Sequence, residues 1–350
     1  MSQETVSTMR AVTLHGHGDP EVLRVEHLRI PVPAPGEFRV RVAACAVCGH
    51  DALSRAGKLS AAPDAVLGHE ISGVIEAVGS EDLEGWVGKR VALTQRRNCG
   101  ECLDCQHGRD NQCRQGIGFY GDDTPGGYAE FVIADLNNTV EIPDSIPHEI
   151  GAVLNCGVGT GYRALKTSEC RAGDVVLTTG ASGGVGLNAV AVASSQSIRV
   201  IAVVSSETKV SAVRDVGADI VLVKPEHAQI REAARSLGRP RGVDAALELT
   251  GSPTFSLSYR SLRPGGALVL VGNVTGASDV PMPVGLTILK ELRVLGSAHA
   301  TRQDLIEVVE LVEQGSLHIP KPTIFPLEQA AQAHAQLEQR TLQGRAVLIP

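Results

Sequence analysis

The chain has 350 residues, enough at about 150 residues per domain for two units that each bury a core, and too many for a mini-protein held by staples. Thirty-two basic residues against 39 acidic ones give a net charge of −7, which excludes the basic footprint of nucleic-acid binding. No apolar run approaches the ~20 residues of a membrane helix, and the amino terminus lacks the apolar segment of a secretory signal, so a soluble cytoplasmic protein is expected.

The first 150 or so residues predict short strands separated by Pro and Gly clusters: Ala11–Leu14, the alternating Phe38–Ala43, Ile71–Val78 and Arg90–Leu93. The chain holds eight cysteines, and in a reducing compartment they stay thiols, so their clustering points to metal. Cys99, Cys102, Cys105 and Cys113 form C-x2-C-x2-C-x7-C. Four thiolates so close in sequence can close a tetrahedron around zinc and leave no open position, which makes that site structural. An iron–sulfur cluster is the alternative for four cysteines, but nothing else in the chain asks for electron transfer. A second set is dispersed: Cys48 in ACAVCGHD, His69 and Glu70 in LGHE, and Cys156 in NCGVGTGY. Spacing alone does not assemble these.

From about residue 174 the pattern changes to six short apolar runs alternating with helices: DVVLTTG, RVIAVVS, DIVLV, VDAALELTG, GALVLVG and ELRVLGS. Such runs describe a parallel sheet covered on both faces, a doubly wound domain. The loop after the first strand, TTGASGGVG, carries Gly180, Ser182, Gly183, Gly184, Val185 and Gly186 where a helix should begin, with glycines spaced to turn, to admit a pyrophosphate and to pack the helix on the sheet. Nineteen residues past Gly186, the end of the second strand has Ser205, Ser206, Glu207, Thr208 and Lys209. No acid stands there to take both ribose hydroxyls of NAD, whereas small hydroxyls and a lysine suit a 2′-phosphate, so NADP(H) is expected over NAD(H); Glu207 reads as part of a helix first turn. Beyond residue 298 the pattern predicts helices Asp304–Glu313 and Leu327–Glu338 and a terminal strand Arg345–Leu348, which together are too little for a domain.

These motifs resemble the zinc-dependent medium-chain dehydrogenase/reductase family, the alcohol dehydrogenase superfamily, over essentially the whole chain. The residues that carry the resemblance are Cys48-Gly49-x-Asp51, Gly68-His69-Glu70, the four-cysteine lobe, Cys156 ahead of Thr160-Gly161, the loop Gly180 to Gly186, and Gly344-Arg345. The resemblance implies an α/β chain with a GroES-like β-rich catalytic domain, residues 1–152 and 298–350 with a structural zinc lobe at 95–116, split around a Rossmann-type NAD(P)-binding domain at 153–297, with the active site in the cleft between them. It implies two zinc ions per chain. Cys48, His69 and Cys156 would bind the catalytic zinc, with Glu70 a neighbour able to exchange onto the metal and Asp51 orienting His69. Thr160 would lie beside the nicotinamide, Val271 and Ser297 would offer backbone groups to its carboxamide, and Arg345 would reach the pyrophosphate. Family members form dimers or tetramers through the edge of the cofactor sheet, so a homodimer or homotetramer acting on a small molecule is expected.

Two features set this chain apart. Two residues after the first ligand, alcohol dehydrogenases of the family have Ser or Thr, and here stands His50, with Leu53 where a further histidine is usual; an imidazole can shuttle the proton at neutral pH. Gln95, Arg96 and Arg97 fall near the family's substrate pocket and suggest an oxygenated or anionic substrate. The expected reaction is alcohol–carbonyl interconversion. Two alternatives are an NADPH-dependent reductase of an activated C=C bond, since GASGGVG, VGNV and ILKELRVLGSAHATRQDL resemble the acryloyl-CoA reductase branch, and a non-catalytic NADP(H)-binding protein, whose mark would have been a lost zinc ligand.

Overall fold

The computed structural model describes residues 7–274, 276, 279–342 and 344–350. The chain divides into two compact units. The first takes the chain up to Cys156 and adds Ala300–Glu313 and Lys321–Pro350; the second comprises Gly157–His299 and Gln314–Pro320. The first break thus falls after Cys156 instead of the expected residue 152, which keeps that cysteine in the unit that holds Cys48 and His69.

Nine strands lead through the first unit: β1 (Thr8–Leu14), β2 (Leu23–Arg29), β3 (Glu37–Val47), β4 (Glu70–Val78), β5 (Arg90–Leu93), β6 (Arg96–Arg97), β7 (Gly118–Phe119), β8 (Phe131–Asp135) and β9 (Thr139–Glu141). Six lie in the second unit: β10 (Val175–Thr178), β11 (Arg199–Val204), β12 (Ile220–Val223), β13 (Val243–Glu248), β14 (Leu262–Leu270) and β15 (Arg293–Gly296). The chain then returns with β16 (Thr323–Pro326) and β17 (Ala346–Ile349).

The main sheet of the first unit runs β16-β17-β3-β4-β5-β9, with β8 also paired to β3. Strand β3 is its spine. Phe38, Val40 and Val42 point into the core and alternate with Arg39 and Arg41, as the period of two requires. Past Ala43 the alternation stops because Ala44 to Val47 are buried on both faces, so the strand runs four residues beyond the end its alternating pattern predicts. Strand β16 has no counterpart among the expected elements: it lies at the sheet edge in KPTIFPLE, where flanking prolines mask the pattern but an edge strand tolerates them.

In the second unit the order is β12-β11-β10-β13-β14-β15, every pair parallel. This is the 3-2-1-4-5-6 order of a doubly wound nucleotide-binding sheet. Central strands β10 and β13 are buried throughout, and edge strands β12 and β15 only partly. No helix among the described residues is long and apolar enough to cross a membrane.

Candidate metal centres and cofactor loop

Strands β6 and β7 pair at the base of the lobe that carries Cys99, Cys102, Cys105 and Cys113. The Sγ–Sγ separations are 3.6 Å for Cys102–Cys105 and Cys99–Cys113 and 3.9 Å for Cys99–Cys105 and Cys102–Cys113. Zinc–sulfur bonds of about 2.3 Å give a tetrahedron whose edge is about 3.8 Å, so these sulfurs stand where four zinc ligands should. Backbone N–H groups aim at them: that of Cys99 donates to Cys113 Sγ and that of Cys102 to Cys99 Sγ, each at 3.4 Å. Burial raises the Cys113 thiol, but such backbone donors outweigh it and bring the thiol down to about 7, close to a thiolate at neutral pH.

The neighbouring arginines serve this lobe and its strand. Arg97 is buried and pairs with Glu37 at 2.6 Å and Asp135 at 3.0 Å, while Arg96 donates to the Cys113 carbonyl at 3.2 Å. Gln95 accepts from the Asn155 amide. The charge of Arg97 is therefore met by two carboxylates, whereas Arg96 meets a carbonyl and keeps a buried Nε without a partner.

The second set is assembled by strand register. Strands β3 and β4 pair with Ala46 opposite Glu70, so Cys48, just past the end of β3, meets His69, just before β4. Gly68 turns the chain into His69 at φ +99°, and a Cβ there would strike the Tyr128 ring at 2.5 Å and Cys45 Sγ at 2.7 Å, so no other residue fits. Cys156 arrives on a π-helical turn, Leu154–Val158, a local distortion common at functional sites. Donor atoms of Cys48, His69, Glu70 and Cys156 all lie within 4.8 Å of one another, and all four residues are buried. The Cys48 and Cys156 sulfurs are 3.9 Å apart, again a zinc-tetrahedron edge.

His69 Nδ1 donates to Asp51 Oδ1 at 2.9 Å, which leaves Nε2 facing Glu70 at 4.0 Å. The hydrogen bond from Cys156 holds the Cys48 thiol well below its ordinary value, while the contact with Cys48 and burial raise the Cys156 thiol. Burial pushes the Glu70 carboxyl up to about 8 against the opposing pull of Arg345. Neither carboxylate oxygen receives a hydrogen bond; the Arg345 guanidinium lies 3.0 Å from Oε1, off the hydrogen-bond axis. Two soft sulfurs, an imidazole nitrogen and an unmet buried carboxylate fit a divalent zinc. Arg345, expected at a pyrophosphate, is here the counter-ion of Glu70 and reaches the Val47 carbonyl at 3.4 Å and Cys156 Sγ at 3.7 Å.

His50 packs against the Phe119 ring at a tilt of 32°, and its Nε2 meets Asp122 Oδ2 at 2.7 Å. Ser54 donates to the other Asp122 oxygen at 2.6 Å. Burial opposes ionisation of Asp122, yet the hydrogen bonds from His50 and Ser54 hold its carboxyl below the usual range. An ionised Asp122 can only accept, so Nε2 of His50 carries the proton of this bond. Sequence reasoning missed Asp122, which is 72 residues away. Of the two spare cysteines, Cys45 packs in the core with its thiol raised by burial, and burial raises Cys170 to about 11.

In the second unit Gly180 turns at φ +59° after β10 and Gly183 caps helix Gly184–Ser195. A Cβ on Gly186 would stand 2.2 Å from the Gly180 carbonyl oxygen, so the glycine lets the helix close on the turn. Beyond β11, Lys209 donates to Ser205 Oγ at 3.3 Å and Ser206 pairs with Thr208 at 2.8 Å, while Glu207 opens a 3-10 turn. Thr160 and Ser297 are buried with hydroxyls that meet no partner. The N–H of Val271 is taken by the Glu248 carbonyl and that of Ser297 by the Leu270 carbonyl, so what remains to offer is the carbonyl oxygen. Glu248, the lone acid of an apolar strand end, is wholly buried; it accepts from Thr179, Thr254, Ser258 and the N–H groups of Thr250 and Gly251, and so pins the turn ahead of Gly180.

A doubly wound sheet with a glycine turn, joined in one chain to a β-rich unit with two zinc-type donor sets, defines a zinc-binding dehydrogenase. The chain belongs to the medium-chain dehydrogenase/reductase family: residues 34–144 match the alcohol dehydrogenase GroES-like domain and residues 184–314 the zinc-binding dehydrogenase domain. It is 32% identical to an acryloyl-coenzyme A reductase of Metallosphaera sedula over 97% of this chain and 99% of that one. It is 33% identical to an alcohol dehydrogenase of Geobacillus stearothermophilus over 93% of this chain and 96% of the other. Among solved structures, that of AibC superposes with a TM-score of 0.91 at 39% identity, over 100% of this chain and 99% of its own. The chain is thus an oxidoreductase of this family.

Two separate donor sets predict about two zinc ions per chain, removable one at a time. Cys105→Ser should leave about one zinc, measured by elemental analysis, and lower the melting temperature. Cys156→Ser should also leave about one zinc with a smaller loss of stability, because the lobe keeps its tetrahedron. Unchanged stoichiometry in either variant would contradict the assignment.

Proposed function

We propose that the chain interconverts an alcohol and a ketone or aldehyde by hydride transfer with NADP(H). The observation that carries this reading is the buried set Cys48, His69, Cys156 and Glu70 with all donors within 4.8 Å. A zinc ion held there supplies the Lewis acidity that polarises a carbonyl or lowers the pKa of an alcohol. A nicotinamide supplies or takes the hydride. The chain's own part is to hold these groups and move a proton. Asp51 keeps the proton on His69 Nδ1 so that Nε2 is the ligand nitrogen. Glu70, paired with Arg345, is the carboxylate able to exchange onto the metal. His50, oriented by Asp122, presents Nδ1 as the proton acceptor or donor for the alcohol.

The nucleotide is proposed to lie with its pyrophosphate on the turn Gly180, Ser182, Gly183, Gly184, Val185 and Gly186, at the start of helix Gly184–Ser195. Ser205, Ser206 and Lys209 would take the 2′-phosphate, Thr160 the nicotinamide side, and the Val271 and Ser297 carbonyls the carboxamide; a pyrophosphate role for Arg345 would have to share its guanidinium with Glu70. We further propose a cytoplasmic homodimer or homotetramer formed at β15, the sheet edge, where Ile288 and Leu289 of the adjoining helix are exposed.

The likeness to acryloyl-coenzyme A reductases favours a second reading, NADPH-dependent reduction of an activated C=C bond. An enolate needs only hydrogen-bond donors, not a metal, so chelation separates the two. NADPH oxidation with ketones and aldehydes should be lost on chelation and restored by zinc, with no turnover of enoyl thioesters; metal-independent enoyl reduction would reverse the assignment, and no turnover of either class would leave a nucleotide-binding protein. By fluorescence titration NADPH should bind more tightly than NADH, and Lys209→Met should weaken NADPH by about tenfold while leaving NADH unchanged. Tighter NADH in the native protein would refute the 2′-phosphate site. Replacing His50 by Ala should lower kcat by about 10²-fold, partly recovered by added imidazole; full activity in that variant would remove His50 from the proton path.

A further inference from the structure

Behind Asp51 runs a line of buried polar side chains, Arg55, His334 and Tyr128, that the proposed reaction does not use. Arg55, at the end of helix Gly49–Arg55, and His334, on helix Ala330–Glu338, are 1% and 0% exposed, and Tyr128 and Asp51 are 0% and 1% exposed. Arg55 Nε lies 3.3 Å from His334 Nδ1, His334 Nε2 lies 3.0 Å from Tyr128 Oη, and Tyr128 Oη lies 3.3 Å from Asp51 Oδ2.

Proton directions along this line are set by its first member. A guanidinium has donors only, so His334 Nδ1 must be the bare, accepting nitrogen and Nε2 must carry the proton. Nε2–H then donates to the Tyr128 oxygen, and the single tyrosine proton goes to Asp51. Burial lowers His334 to about 4 and raises Tyr128 well above its usual value, so neither changes charge near neutrality. The Cys48 N–H also donates to Asp51 Oδ2, at 2.8 Å. Asp51 Oδ2 thus accepts from Tyr128 and from the Cys48 N–H, which fixes the carboxyl group with Oδ1 turned to accept from His69 Nδ1. The Tyr128 ring acts a second time, filling the space that a side chain at position 68 would need.

We infer that Arg55, His334 and Tyr128 are positioning residues of the Cys48–His69–Cys156 centre, a one-way hydrogen-bond chain that fixes the tautomer and orientation of His69 through Asp51. The C-terminal helix thereby supports a ligand more than 260 residues earlier in the sequence, and Arg55 is secured to the same helix by its ion pair with Glu338. This rests on the reading of that centre as a metal site.

The test is metal affinity, by competition with a chromophoric chelator, together with the visible spectrum of the cobalt-substituted protein. Tyr128→Phe keeps the ring but removes the donor to Asp51, and it should weaken the metal at this centre by about tenfold or more and shift the cobalt bands. His334→Leu should do the same. His334→Gln, whose amide can still accept from Arg55 and donate to Tyr128, should stay within about threefold of the native protein. Retention of the four-cysteine metal certifies that each variant is folded. Native affinity in both Tyr128→Phe and His334→Leu would overturn the inference, and so would equal losses in His334→Gln and His334→Leu, since His334 would then be a packing residue. Absence of metal at this centre in the native protein, visible before any variant is made, would refute the metal reading and the inference with it.

Discussion

Cys48, His69, Glu70 and Cys156 bring two sulfurs, an imidazole and a carboxylate into one buried volume, and a charge taken out of water without compensation costs several kcal/mol. Much of the first unit answers that cost. Arg345 sets a fixed cation 3.0 Å from Glu70, the Cys48 and Cys156 sulfurs meet at 3.9 Å, and Asp51 holds His69. What these groups leave unmet is the Glu70 carboxyl group, neither oxygen of which has a hydrogen-bond partner. A divalent metal satisfies it.

The two donor sets solve the same coordination problem by different routes. In the lobe, four cysteines within fifteen residues converge because a short loop can wrap an ion, and the site is part-exposed. In the buried centre, the ligands converge because β3 and β4 are paired in one register, with Ala46 opposite Glu70. A slip of one residue in that pairing would turn every side chain to the other face and separate Cys48 from His69. The lobe's donor set is defined by a short loop, whereas the buried centre's is defined by the sheet.

This difference explains what could be read from the sequence. The C-x2-C-x2-C-x7-C spacing is local, so the structural set was legible from residue types alone, and so were the six apolar strands of the second unit and the glycine turn. Cys48, His69 and Cys156 were legible only through resemblance, since no local pattern encodes a strand register. Partners that act across the fold left no trace: Asp122 stands 72 residues from His50, and His334 stands 206 from Tyr128. The partners of Arg97 were hidden for a related reason, since Glu37 and Asp135 lie 60 and 38 residues away in sequence. Glu248 does carry a local signal: a buried acid just after the apolar stretch Ala245–Leu247 must be satisfied, and its five donors tie the strand end to the nucleotide turn.

His50 shows how a change at one position constrains others. A hydroxyl can pass a proton through a single oxygen that donates and accepts, whereas an imidazole must take a proton on one nitrogen and keep the other committed. Left to itself the ring could rotate or adopt either tautomer, and half of those states would present N–H where a lone pair is wanted. Asp122 removes the choice by accepting from Nε2, Ser54 keeps Asp122 from turning away, and Phe119 packs against the ring face. Ser54 lies on the same helix as His50, and Phe119 and Asp122 come from β7 and the turn after it. In the proposed relay, four residues from two segments take the place of one hydroxyl, and the ring nitrogen turned away from Asp122 is Nδ1.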